Sequence, residues 1–146
     1  MRKHPLILAV DDDKLLLKTV RDTLVSEGFR VITAANATTA LFLLGKDKPD
    51  LILLDIMMPD IDGFQTLEMI RTHSNVPVIM LTCLDNQNSL RRTMGDGGAD
   101  DYITKPFRAR VLVARIKAKL RRADNTLQRL VSNHTHQEGN NDKQPS

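Results

Sequence analysis

Three acids in a row, Asp11, Asp12 and Asp13, close the first apolar run of the chain, LILAV at 6–10. A second apolar run, LILL at 51–54, leads directly into Asp55. Runs at 76–81 and 101–104 are followed by Thr82 and Lys105. A lone acid in such a place only begins a loop. Carboxylates, one hydroxyl and one amine recurring at the same end of four runs form a constellation, provided the fold brings those ends together. Clustered carboxylates repel, at a cost of about 4 kcal/mol for two unit charges about 4 Å apart at an effective dielectric of 20. A cation has to offset that, and the choices are Lys105 or a bound divalent ion. All-oxygen ligation with room for waters suits Mg²⁺.

The elements that must position these groups follow from hydrophobic pattern. Strand-like runs fall at Leu6–Val10, Arg30–Ala34, Leu51–Leu54, Val76–Leu81 and Asp101–Thr104, and helical patterns fill the gaps. Leu16, Val20 and Leu24 share one helical face, with Asp13 placed to cap its start and Gly28 its end. A second helix is expected at Ala37–Leu44, and Phe64, Leu67 and Ile70 mark a third. A weaker fourth covers Asn86–Met94 and ends in GDGG at 95–98, and a long fifth runs over Phe107–Arg122. Strands alternating with helices predict an α/β fold, a parallel sheet with helices on both faces. In such open sheets the site lies beyond the carboxyl ends of the strands, where strand order reverses.

Composition narrows the function classes. A chain of 146 residues, 41% hydrophobic, suffices for one domain with a sizeable core. The one cysteine, Cys83, allows no intramolecular disulfide and no Cys-based zinc site. The apolar run near the start is too short for a secretory signal, and no stretch approaches the roughly 20 apolar residues of a membrane span. A soluble, cytoplasmic protein is expected. The net charge of +3 conceals an asymmetry: residues 1–101 carry 15 acids and 11 bases, residues 102–146 carry 3 acids and 10 bases. Eight basic residues and no acid lie between Tyr102 and Ala123. Such a stripe fits nucleic acid or an acidic partner, or is a solvated helix face. With no Trp and 3% aromatics, stacking on single-stranded bases is disfavoured. From Asn133 on, the chain is polar without periodicity, and His134 and His136 lack Cys or acid partners for a metal.

Four segments, VDDD at 10–13, LLDIMMPDIDG at 53–63, LT at 81–82 and GADDYITKPF at 98–107, closely resemble the receiver domain of two-component response regulators. The resemblance covers residues 5–122 in matching order and spacing. It implies a CheY-like, flavodoxin-like (βα)5 fold with strand order 2-1-3-4-5. Residues 1–4 are then a lead, apolar spacing beyond Arg122 suggests a helical extension over 123–132, and the polar, aperiodic 133–146 is expected to be a disordered tail. By the same resemblance Asp55 is the phosphoacceptor, a carboxylate nucleophile that takes a phosphoryl group from a histidine kinase or phosphotransfer protein. Asp12 and Asp55 would bind Mg²⁺ directly, Asp11 mainly through water, and the Met57 backbone carbonyl would complete the protein ligands. Lys105 would hold phosphoryl oxygens, Thr82 would hydrogen-bond one of them, and Tyr102 would turn inward as Thr82 engages. A cis Lys105–Pro106 bond would aim the lysine inward; on residue type alone Pro106 is equally a first-turn helix proline. Gly63 is expected to supply a turn conformation that other residues disfavour.

The stretch KPFRARVLVARIKAKLRR at 105–122 resembles the OmpR/PhoB subgroup, whose fourth helix, fifth strand and fifth helix form a symmetric dimer face. Asp101 and Arg115 match one intersubunit ion pair of that face. Val111 stands where the pattern has Glu, which leaves Arg91 without its expected partner, and Arg92 and Gly95 replace apolar contacts. DNA would be reached through a C-terminal effector domain, and the 24 residues after Arg122 are too few for a winged helix. Val113, Ile116, Leu120, Ala123, Leu127 and Leu130 repeat at 3-4-3-4-3 spacing, a coiled-coil seam or one face of a single helix packing back on the domain. The expected function is a phosphorylation-dependent switch that controls a partner or an effector domain, performing chemistry only on itself. Alternatives are a stand-alone phosphorelay receiver, a pseudo-receiver acting as a binding module, and an Asp-nucleophile phosphotransferase. The last class places two Asp two residues apart after the first strand, unlike the three adjacent acids here.

Overall fold

The structure, a computed structural model, describes residues 4–58, 61–83 and 98–141, and for 126, 127 and 131–141 the backbone alone. Five parallel strands, β1 (Leu6–Val10), β2 (Arg30–Ala34), β3 (Leu51–Asp55), β4 (Val78–Cys83) and β5 (Asp101–Lys105), lie in the order β2-β1-β3-β4-β5. Strand order reverses between β1 and β3, so the ends of those two strands border the crevice where ligands of such sheets bind. Helices α1 (Lys14–Ser26), α2 (Ala37–Asp47) and α3 (Gly63–His73) connect the strands, and a C-terminal helix spans Ala109–Asn141.

Alternation within each strand divides the core into two. Ile7, Ala9, Leu51, Leu53, Ile79, Leu81 and Ile103 point to one face, covered by Leu17, Val20 and Leu24 of α1 and by Leu112, Ile116 and Leu120 of the C-terminal helix. Leu8, Val10, Ile52, Leu54, Val78 and Met80 point to the other, covered by Ala40 and Leu44 of α2 and Leu67 and Ile70 of α3. The three central strands are therefore apolar up to their carboxyl ends, where β3 closes on Asp55 and β4 on Thr82 and Cys83, as strands covered on both faces require. The Asp13 carboxylate caps α1, accepting from the Leu15 and Leu16 amides, and Gly28 beyond that helix has φ +94°. Asp62 and Gln65 form a capping box at the start of α3, an N-terminus signature that the sequence carried.

Several boundaries differ from expectation. β4 starts at Val78 rather than Val76 and reaches Cys83, because Pro77 has no amide to pair and offers only its carbonyl, to the Ile52 N–H. β3 and β5 each run one residue further, so Asp55 pairs with Leu81, Thr82 with Thr104 and Lys105 with Cys83 inside the ladder. On α1 the buried residues are Leu17, Val20 and Leu24, and Leu16 packs against the same core while partly exposed. α2 continues to Asp47 and ends on Lys48 in the left-handed conformation. The C-terminal helix begins at Ala109 and continues to Asn141, through the expected extension and into residues expected to form the polar tail. Once a helix is nucleated by docking, each added residue costs little, so a polar sequence can prolong it. The expected helix at Asn86–Met94 lies outside the described residues.

Candidate functional site

The acid-bearing end of β1 and the end of β3 are neighbours in the sheet, which brings Asp11, Asp12 and Asp55 together. One carboxylate oxygen from each can be chosen so that all three lie within 4.8 Å of one another. Asp11 and Asp55 are 1% and 3% exposed, whereas Asp12 faces solvent. The Asp11 amide donates to the Ala34 carbonyl at the end of β2, and one Asp11 oxygen accepts from the Asp13 amide at 3.0 Å. Asp55 Oδ1 accepts from the Met57 amide at 3.3 Å. Backbone on both sides thus fixes the orientation of the two buried carboxylates.

Lys105 comes from the end of β5 and lies between them. Its Nζ donates to Asp11 Oδ2 at 2.8 Å and to Asp55 Oδ1 at 3.2 Å. Two acids and one ammonium leave a net negative pocket. Burial pushes the Asp55 carboxyl up to about 6, the Asp11 charge adds to the rise, and Lys105 opposes it. Burial also works to depress the Lys105 ammonium, but its hydrogen bond to Asp11 and the two carboxylate charges outweigh that and hold it above the ordinary lysine value. A pocket of hard oxygen donors with uncompensated negative charge and one side open to water has the donor set of a divalent, oxygen-seeking cation.

Thr82 is 1% exposed, and its hydroxyl donates to the Cys83 carbonyl at 3.1 Å. Tyr102, opposite Met80 in the ladder, is 39% exposed, so its ring is in an outward position. The Lys105–Pro106 peptide bond is cis, and Pro106 precedes the helix rather than opening it. Met57 is 61% exposed and Met58 is buried.

One expected role is corrected. Gly63 does not sit in the left-handed region; a Cβ there would lie 2.5 Å from the Asp55 carbonyl oxygen and 2.6 Å from the Ile56 Cα. The glycine is required because α3 starts directly against the end of β3, where its amide donates to the Ile56 carbonyl at 2.9 Å. Close approach of this kind has no local sequence signal beyond the glycine itself. Asp101 and Arg115, the two dimer-face candidates, lie together at the surface and pair within the single chain, with Nη1 at 2.8 Å from both carboxylate oxygens. The start of β5 and the second turn of the C-terminal helix are adjacent, so the shortest partner for Arg115 is its own strand. Arg91 lies outside the described residues. Sequence reading also overlooked Arg71, which donates to the carbonyls of Val76 and Gly98 and to Asp100, tying the end of α3 to β4 and β5. A cation in the last turn of a helix, free to reach nearby carbonyls, was the signal available.

Comparison with known proteins agrees with this geometry. The response regulator receiver domain matches residues 7–117. The transcriptional regulatory protein CpxR of Escherichia coli K12 is 49% identical over 118 residues, covering 80% of this chain and 50% of that protein. AfsQ1 of Streptomyces coelicolor is 41% identical over 120 residues, covering 82% and 53%. The chain spans about half the length of the curated relatives it matches. Among solved structures, a CheY-like receiver domain protein from Methanospirillum hungatei has a TM-score of 0.79 at 32% identity, covering 85% of this chain and 99% of that one. NtrX from Brucella abortus has a TM-score of 0.78 at 31% identity, covering 89% of this chain and 29% of that one. The chain belongs to the response regulator receiver domain family, the signalling switch of two-component systems.

Proposed function

We propose that Asp55 accepts a phosphoryl group from a phosphohistidine of a histidine kinase or phosphotransfer protein. The observation that carries this is the single Lys105 ammonium bridging two buried carboxylates, Asp11 at 2.8 Å and Asp55 at 3.2 Å. An Asp55 oxygen attacks phosphorus, the bond from phosphorus to the donor's histidine nitrogen breaks, and that nitrogen leaves with the electron pair. Such transfers need positioning and charge neutralisation more than covalent assistance from the protein. Lys105 moves its ammonium from carboxylate to phosphoryl oxygen with little travel, since it already touches Asp55. Asp11, Asp12, Asp55 and the Met57 carbonyl would hold Mg²⁺, whose chemistry when bound is to neutralise charge on the oxygens around phosphorus.

The Thr82 hydroxyl, now on the Cys83 carbonyl, reorients to a phosphoryl oxygen, and Tyr102 moves into the space that change vacates. Phosphorylation therefore biases an equilibrium between two conformations. The relatives are named transcriptional regulators, so the output of the intact protein is control of an effector or partner. A homodimer through β5 and the adjoining helices would first have to open or share the Asp101–Arg115 pair.

Incubation with acetyl phosphate and Mg²⁺, read by intact-mass spectrometry, tests the assignment. One phosphoryl group per chain, absent in Asp55→Asn and absent with chelator, is the expected outcome. Label retained in Asp55→Asn, or multiple turnover without a stable adduct on Asp55, overturns it.

A further inference from the structure

The switch leaves one large feature of the chain unused. On the C-terminal helix, Arg110, Lys119, Arg121, Arg122 and Arg129 have no ion-pair partner among the described residues, whereas Arg115 is tied to Asp101 and Lys117 approaches Glu27. All five except the partly exposed Lys119 are exposed. At 3.6 residues per turn these cations form two rows, Arg115, Lys119, Arg122 and Arg129 on one flank, and Arg110, Lys117 and Arg121 on the other. Between the rows the outward ridge carries Ala114, Ala118 and Asn125, short side chains that let a surface approach the helix closely. From Arg110 to Arg129 the rows extend about 28 Å, close to one turn of a DNA duplex.

We propose that this face of the C-terminal helix binds the phosphate backbone of duplex DNA, without reading its sequence and independently of Asp55 phosphorylation. The charge balance supports it, since no acid occurs between Tyr102 and Ala123 and the free cations form a regular, straight array. A single strand is a poorer fit, because the stretch from Arg110 to Arg129 has no aromatic residue for base stacking. An anionic membrane is a poorer fit too. The helix's apolar face is spent on the sheet through Leu112, Ile116 and Leu120, so no apolar side remains along most of its length to insert between lipids.

Fluorescence anisotropy of the full chain with a labelled 20-base-pair duplex of arbitrary sequence tests this. Binding at 50 mM salt that weakens about 150- to 500-fold by 200 mM is expected if four to five cations displace counterions. Changing Arg110, Lys119, Arg121, Arg122 and Arg129 together to Gln should weaken binding at least tenfold with an unchanged circular dichroism spectrum. Changing Lys14, Lys18, Arg21, Arg30 and Lys46 to Gln should leave it within twofold. Absence of binding at 50 mM salt, or equal loss in both variants, overturns the proposal, the second because net charge alone would then explain the attraction. Tighter binding to polyglutamate or to anionic vesicles than to the duplex also overturns it, in favour of an acidic protein or a membrane.

Discussion

At the Asp55 carboxyl, burial and the neighbouring Asp11 charge outweigh the attraction of Lys105, so the group ionises near pH 6 rather than at 3.8. That difference sets how stability depends on pH. Below about pH 4 the group is protonated in folded and unfolded chains alike and contributes nothing. Between about pH 4 and 6 the unfolded chain releases its proton first, so stability falls with rising pH, and above 6 the full cost of about 3 kcal/mol is present. Asp55→Asn removes that cost. In metal-free buffer the variant is expected to be more stable than the parent at pH 7.5, by roughly 1–3 kcal/mol, and to lose the advantage by pH 4. Urea melts of both proteins across this range check it, because the titrations of groups remote from Asp55 cancel in the difference. A variant less stable at pH 7.5 would show that Lys105, not burial, dominates the site. The identities of these groups were legible in the sequence, since each ends an apolar run. That Asp11 is the shortest partner of Lys105 was not, because 94 residues separate them and only the completed sheet brings β1 and β5 to the same edge.

At the scale of elements, the junction between β3 and α3 holds the site's geometry. The capping box of Asp62 and Gln65 starts α3, and Gly63 lets that start press on the backbone of Asp55 and Ile56. Gly63→Ala therefore places a methyl group where backbone atoms at 2.5 and 2.6 Å cannot yield as a flexible side chain would. Either α3 moves outward or the end of β3 shifts, and both cost stability, about 3 kcal/mol by analogy with overpacked cores. The expected result in a urea melt is a lowered midpoint, with slower acetyl phosphate labelling because Asp55 sits on the displaced backbone. A variant as stable as the parent would mean that the junction has slack that the close contacts deny. The helix pattern and the buried central strands could be read from periodicity, whereas strand order rested on the resemblance to receiver domains, because the edge strands β2 and β5 bury only part of their residues. Strand ends could not be read as surely. Thr82 and Lys105 are polar, and apolar runs stop before them, yet the ladder holds both.

Across the whole molecule, the buried side chains described for the C-terminal helix fall in about its first third. Leu112, Val113, Ile116 and Leu120 are buried against the sheet and α1, while Ala123 is exposed and Leu130 is 62% exposed. The 3-4 seam that the sequence displays as one continuous pattern is thus divided, its first half serving as core while Ala123 and Leu130 of its second half are exposed. Periodicity alone could not locate the division, because the same spacing serves a sheet face and a helix partner. If the division is physical, a chain ending at Arg122 keeps Leu112, Val113, Ile116 and Leu120, the buried side chains of the helix among the described residues. Its unfolding free energy should then match that of the 146-residue chain within about 0.5 kcal/mol, the range of surface changes remote from a core. A chain ending at Ala114 loses Ile116 and Leu120, two fully or nearly fully buried side chains, and should fall by about 4 kcal/mol or more, near the whole stability of such a domain. Comparing urea midpoints of the three lengths decides the matter: a large loss already at Arg122 would mean that residues beyond it pack on the domain, and would place the end of the folded unit further along the helix.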